Sequence, residues 1–199
     1  MKRAILLLVL MLSASAHSEE LRFRILHRGD SYDVDRVREV LQRRLDALGQ
    51  RGEVRLVSAQ EVLVEVPALQ ERDRLVEALT RPGRLEIQLF DEGGWVTALD
   101  GRMVASAAVE RGEYPALKVV MNAQGRDRLA QVTRARVGQR MRIVVDGKLL
   151  TEPVIQEAIL GGEAVITGHF TPAELEELAV CLGAGWLPVD LEPLQNPRR

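Results

Sequence analysis

The sequence is poor in cysteine and in aromatic residues. Its 199 residues include one cysteine, Cys181, so no disulfide can form within the chain and a packed core has to carry the stability. There are three Phe, two Trp and two Tyr, and we therefore expect aliphatic cores. No histidine or second cysteine lies near Cys181 in the sequence, which favours a helix residue packed as a small hydrophobe over a reactive thiol.

An excess of basic charge is also missing. The formal net charge is −2 at pH 7, and removal of Lys2 and Arg3 with a leader would make it more negative. Proteins that bind nucleic acid usually present a net basic face to the phosphates. The composition therefore argues against nucleic acid as a partner.

No apolar run is long enough to cross a bilayer, which takes about 20 residues in a helix. The longest run, residues 4–12, follows Lys2 and Arg3 and precedes the small residues Ala14 and Ala16. This order is typical of a cleaved export signal over residues 1–16, although a buried first helix is the alternative. We expect a periplasmic or secreted protein with no membrane span after signal cleavage.

Residue patterns that carry catalysis are absent from the sequence. The three histidines, His17, His27 and His169, are scattered and have no neighbour at metal-ligand spacing. Neither a phosphate-binding loop nor a nucleophile elbow occurs, and the Gly161-Gly162 pair lies between predicted strands rather than at the start of a helix. We predict that the protein is not an enzyme and has no cofactor and no metal site.

The first half of the chain alternates between strand and helix patterns. Apolar residues with a period of two predict four strands near residues 21–25, 54–56, 62–66 and 85–89. Helical stripes lie after Asp33 and near residues 75–79, and we interpret the arginine-rich face from Arg36 to Arg44 as mostly solvated. The order β-α-β-β-α-β predicts a ferredoxin-like base over residues 17–91, with Leu85, Ile87 and Leu89 in its fourth strand.

Residues 92–191 are predicted to form a second, smaller α+β head subdomain. Asn122 is a candidate helix cap, and Asp146-Gly147 predicts a tight hairpin turn between two strands. Thr171 with Glu174 three residues later forms a capping box for the last helix. Residues 192–199 are polar and are expected to form a loose tail. The predicted fold class is therefore α+β, with a ferredoxin-like βαββαβ base followed by this head.

Several motifs of the second half resemble a known family. The runs VDGKLLTEPVI (145–155), ILGGEAVITGHFTPAELEELA (159–179) and AGWLP (184–188) are similar, in the same order, to segments of SecD, a subunit of the bacterial protein-export translocase. The resemblance is to the first periplasmic domain of SecD or SecDF, including its P1 head subdomain. It covers nearly all of the chain after the leader and is most specific over residues 117–188.

This resemblance implies a fold and a class of partner. The expected partners are unfolded or emerging polypeptide, or components of the Sec translocon. A folded envelope protein bound by an interaction or regulatory module is the alternative, and a small-ligand binder is less favoured. Because no bundle of apolar spans follows Pro188, we do not expect the proton-driven motor that the membrane helices of SecD supply.

Trp95, Met103 and Tyr114 are the candidate partner-binding residues. They lie in the stretch that strand and helix periodicity explains least, and Met and aromatic side chains are common at interfaces. Their alternative role is to fill the small core of the head.

Overall fold

A computed structural model describes residues 18–27, 32–67, 69 and 71–194. The helices are α1 (Val34–Ala47), α2 (Arg72–Thr80), α3 (Ala123–Ala135) and α4 (Pro172–Ala184). The strands are β1 (Glu19–Leu26), β2 (Glu53–Ser58), β3 (Glu61–Val66), β4 (Leu85–Asp91), β5 (Gly94–Asp100), β6 (Val104–Glu110), β7 (Ala116–Met121), β8 (Met141–Val145), β9 (Lys148–Thr151), β10 (Glu163–Ile166) and β11 (Asp190–Leu194). This mixture of helices and antiparallel sheets confirms the predicted α+β class.

One sheet, the base sheet, has the strand order β11-β1-β3-β2, and all neighbouring strands are antiparallel. Its buried face includes Phe23, Val62 and Val64, which pack with Leu41 of α1 and Leu79 of α2. With β11 as its fourth strand, this sheet has the order of a split βαβ arrangement.

The prediction that Leu85, Ile87 and Leu89 form the fourth strand of the base was wrong. These residues lie in β4, which pairs with β5 and β8 in a different sheet, whereas β11 pairs with β1. A period of two predicts a half-buried strand but not its partner, because either sheet can bury the same face. Residues 192–194 consequently lie in a strand rather than in a loose tail, and residues 195–199 lie outside the described residues.

Two further sheets, with strand orders β5-β4-β8-β9 and β10-β7-β6, share a second core. Helix α3 contributes Leu129 and Val132 to this core, and α4 contributes Leu175, Leu178 and Leu182. Gly183 of α4 lies so close to β6 that a Cβ there would be 3.0 Å from the carbonyl oxygen of Ala107. The helix therefore packs directly against the backbone of that strand.

Local signals in the sequence correctly predicted where α1, α3 and α4 begin. The side chains of Asp33 and Asn122 accept hydrogen bonds from backbone N–H groups three residues later, as predicted for caps. Thr171 and Glu174 form both bonds of the predicted capping box. Cys181 is fully buried in α4, which confirms the packing role, and burial raises the pKa of its thiol.

Arg44 corrects the interpretation of the α1 arginines as a solvated face. Its side chain is completely buried, at 0% exposure. The guanidinium donates hydrogen bonds to five backbone carbonyls, those of Ala78, Leu79, Arg81, Pro82 and Gly185. Because the chain passes from α2 to β4 through residues 81–84 and leaves α4 at Gly185, one side chain joins the two connections between the cores.

Asp146 adds a second tie at the same place. The Asp146-Gly147 turn has the positive φ angles, 52° and 78°, expected of the predicted hairpin. Its carboxylate also accepts the backbone N–H of Arg84 at 2.8 Å and the side chain of Arg81 at 3.2 Å. The sequence explained Asp146 by turn chemistry alone and did not predict these two hydrogen bonds.

Within the described ranges, no helix is both long and apolar enough to cross a membrane. The predicted export signal, residues 1–16, lies outside the described residues.

Candidate functional site

The β4–β5 hairpin carries exposed apolar side chains close to Trp95, a predicted site residue. Its turn is Glu92-Gly93, with φ angles of 42° and 92°, and the pair Asp91–Gly94 closes it. Both turn residues adopt the left-handed conformation that a two-residue hairpin turn requires. The turn projects two aromatic residues, which oppose each other as the pair Phe90–Trp95.

Trp95 lies between a cation and a second aromatic ring. The guanidinium carbon of Arg142 is 3.9 Å from the centroid of the indole, a cation–π contact. The ring of Phe90 meets it edge to face, with centroids 5.6 Å apart and an interplanar angle of 74°. The indole is therefore half-buried by its own neighbours and held in one orientation.

Arg142 is itself held by Glu152. Its Nε donates to the Glu152 carboxylate at 2.8 Å, and Arg140 approaches the same carboxylate at 3.4 Å. The hydrogen bond from Arg142 lowers the pKa of Glu152 below its ordinary value. The carboxylate thus stays charged at neutral pH and fixes the cation over the indole.

Apolar side chains on both faces of the hairpin are open to solvent. Phe90 is 48% exposed and Val96 is 54% exposed. A groove of about 240 Å³ runs between β5 and α3, with Leu89 and Val96 on its sheet side. Arg128 and Arg136 lie on its helix side. Because Val96 opposes Leu89 and Trp95 opposes Phe90, Val96 faces this groove and the two aromatic residues lie on the other face of the hairpin. We refer to the two faces together, with Phe90, Trp95, Val96, Arg128 and Arg136, as the hairpin surface.

The three residues predicted to bind a partner lie in different environments. Trp95 belongs to the hairpin surface, whereas Tyr114 is 81% exposed in the connection between β6 and β7. Met103 is partly buried against the head core, beside Gly125, which is the alternative that the sequence left open. A binding role for Trp95, Met103 and Tyr114 stays a prediction.

Phe90 and Val96 were missed by the sequence analysis. They lie on the two sides of the Asp-Glu-Gly-Gly run at residues 91–94, where the predicted boundary between base and head falls and where the structure has the tip of a hairpin. Alternating apolar residues on both sides of a two-residue turn are the signal that would have found them.

A second groove, of about 430 Å³, lies between the helices of the base and α4. Leu48 and Leu75 line it together with Arg74, Arg111 and Glu176. Arg74 pairs with Glu71 at 3.2 Å and with Glu176 at 3.5 Å, so charged groups that neutralise each other occupy much of its rim. Among the described residues, no cluster of three or more His, Cys, Asp or Glu side chains could hold a metal ion.

Comparison with known proteins gives a consistent result. A family model for the SecDF P1 head subdomain matches residues 87–189. The protein translocase subunit SecD of Dictyoglomus turgidum is 36% identical over 166 residues, which cover 82% of this chain and 41% of that protein. SecD of Sebaldella termitidis is 32% identical over 168 residues, with 82% of this chain and 41% of that protein covered. The chain thus spans about two fifths of the length of these relatives.

The fold agrees with a solved structure. The structure of a SecDF component, described as a membrane component that enhances protein export, superposes with a TM-score of 0.81. The match covers 91% of this chain and all of the solved one at 24% sequence identity, and it shows a shared fold. Because the family model matches more than half of the chain, the chain belongs to the family of the SecDF P1 head subdomain.

Proposed function

We propose that the protein is a non-catalytic periplasmic module of protein export that contacts unfolded or emerging polypeptide through the hairpin surface. The observation that carries the proposal is the exposure of Phe90 beside a fixed indole and of Val96 on the other face of the same hairpin. An unfolded chain exposes apolar side chains, and covering them is favourable by roughly 25 cal/mol per Å². A surface of this kind binds many sequences, because apolar burial has no directional requirement.

The rigidity of the surface supports the proposal. The ion pair of Arg142 with Glu152 and the edge contact of Phe90 hold the Trp95 ring before a partner arrives. A side chain that is already ordered loses little conformational entropy on binding. The surface can therefore bind a polypeptide at a small cost in side-chain entropy.

The predicted export signal and the similarity to SecD support the proposed periplasmic location. In this setting a component of the Sec translocon is the expected neighbour, and polypeptide leaving it is the expected ligand. Arg44 bonds to both connections between the cores and Asp146 bonds to the one between α2 and β4, which supports a fixed attachment of the head to the base.

Site-specific photo-crosslinking tests the proposal. A photoreactive residue at position 96 is expected to capture a reduced and alkylated, permanently unfolded α-lactalbumin. The same residue at position 160 serves as the control, because Leu160 is equally open, at 58% exposure, but lies on the connection from β9 to β10.

Two results would contradict the proposal. Equal capture at both positions would mean that any exposed apolar residue binds the probe. If the probe is captured at neither position and a single folded envelope protein is captured instead, the interaction-module alternative replaces polypeptide contact.

A further inference from the structure

We propose that the free edge of β5 is a docking strand for an extended peptide segment with an apolar and an acidic side chain. The segment pairs with Trp95–Thr97 as an added strand and places its apolar side chain in the groove between β5 and α3. Its carboxylate pairs with Arg128. This inference rests on the proposed contact with non-native polypeptide and specifies how, and with what chemistry, that contact is made.

The edge provides backbone groups for pairing. In the described part of the chain, strand β5 is the last strand of its sheet and pairs with β4 alone. In an antiparallel pair, successive residues direct their N–H and C=O groups alternately toward and away from the partner strand. Counted from the closing pair Asp91–Gly94, Trp95 and Thr97 direct theirs away from β4. A free edge of this kind is a template for another extended chain.

The groove lies where an added strand would place its side chains. Leu89 and Val96 oppose each other across β4 and β5, and Val132 and Ala135 of α3 complete the lining. An edge strand beside a helix, with an apolar pocket between them, allows main-chain pairing and side-chain selection together. Because the groove has a volume of about 240 Å³, only a few side chains of the segment can enter it.

The charges on the helix side favour an acidic segment. Arg136 pairs with Asp91 at 3.1 Å, which neutralises it. Arg128 donates to the Ala98 carbonyl at 3.3 Å and to Gln131 at 3.1 Å, but no carboxylate in the described part of the chain lies within 4.0 Å of it. A guanidinium beside a groove with no anionic partner attracts a carboxylate of the ligand.

A comparable strand edge, that of β6, is covered by helix α4. Strand β6 is equally long and also ends its sheet. Its backbone lies against α4, where the Ala107 carbonyl oxygen is 3.0 Å from the Cβ position of Gly183. By contrast, Val96 and Thr97 of β5 are exposed. The edge of β5 is therefore accessible, whereas the edge of β6 is not.

The probe for the test is a short synthetic peptide in which valine alternates with threonine and the last valine is replaced by aspartate. Binding to the full chain is measured by fluorescence anisotropy. Thr97→Pro removes one outward N–H, and an edge strand tolerates proline where that group faces solvent. Thr97→Ala is the matched control, because it removes the hydroxyl group that bonds to Glu86 and keeps the N–H.

We expect Thr97→Pro to weaken binding roughly fivefold to tenfold, the value of about one hydrogen bond, and Thr97→Ala to leave it nearly unchanged. Arg128→Ala should weaken binding of the aspartate peptide but not of a lysine analogue. Arg134→Ala, on an exposed arginine of the same helix outside the groove, should affect neither peptide.

Hydrogen exchange provides a readout that needs no variant. Peptide binding should slow amide exchange at Trp95 and Thr97, and leave Val96, already paired with β4, unchanged. Binding without this protection, or with equal affinity for Thr97→Pro and Thr97→Ala, would overturn the docking strand while leaving polypeptide contact intact. If neither this peptide nor any unfolded protein binds, the proposed function itself fails.

Discussion

Arg142 covers the indole ring of Trp95 at 3.9 Å, although the two residues are on different strands that are separated by β4. The contact spans the width of three strands and gives the exposed face of this sheet a fixed aromatic centre. It also explains why Trp95 is half-buried at the surface of the head.

The position of Arg142 over the ring predicts a spectroscopic signature. Protons above an indole ring resonate upfield, so the side-chain protons of Arg142 should be shifted upfield by NMR. Trp95→Leu should abolish this shift and reduce the free energy of unfolding by about 0.5–1 kcal/mol. Unshifted Arg142 protons would show that the pair does not form in solution.

Arg44 is predicted to be essential to stability. Arg44→Met keeps much of the buried volume but removes the donor shared by five carbonyls, of which that of Pro82 keeps the backbone N–H of Leu187. We expect a loss of about 3 kcal/mol in urea unfolding. Arg43→Met is the matched control, since Arg43 is about half exposed and makes only a surface pair with Glu39. The control should change stability by less than about 0.5 kcal/mol. Similar losses for both variants would refute the special role of Arg44.

The start of α4 allows a test that separates stability from binding. Thr171→Ala removes the side chain that accepts the N–H of Glu174, and it should destabilise the fold by about 1 kcal/mol. Capture of unfolded polypeptide should not change under conditions where the variant is folded. Weaker capture with an unchanged denaturant midpoint would mean that Thr171 contacts the ligand instead.

The pH dependence of stability follows from the same capping box. Hydrogen bonds from the backbone and side chain of Thr171 lower the pKa of Glu174 in the folded state. Stabilisation by this carboxylate is therefore complete above its unfolded-state pKa and is lost as the pH falls through the folded-state value. Glu174→Gln keeps a capping-box residue without the titration, and it should reduce the loss of stability on acidification below about pH 4.5. An identical acid profile for both proteins would exclude this contribution.

The sequence predicted the features that depend on neighbours in the chain. Asp33, Asn122 and Thr171 cap helices because a cap bonds to a backbone group three residues away. The packing role of Cys181 was also predicted correctly, from the absence of a histidine or a second cysteine near it in the sequence.

Features that depend on distant parts of the chain were not predicted. The pairing of β1 with β11 joins residues more than 160 positions apart, and no local pattern distinguishes β11 from β4 as the partner. Arg44 looked like one of several surface arginines, since only the tertiary fold brings the carbonyls of Pro82 and Gly185 to it. The division at residue 91 stays a prediction. We propose instead that the base comprises the residues up to α2 together with β11, because their buried residues share one core.

Affinity for unfolded polypeptide is the most direct test of the central claim, which is that the hairpin surface binds it. The double variant Phe90→Ser, Val96→Ser should bind reduced and alkylated α-lactalbumin at least roughly tenfold more weakly, since two exposed apolar groups contribute about 1.4 kcal/mol or more when covered. Its denaturant midpoint should stay close to that of the parent protein, because both side chains are about half exposed. Leu160→Ser should bind as the parent does. Unchanged affinity of the folded double variant would contradict the account.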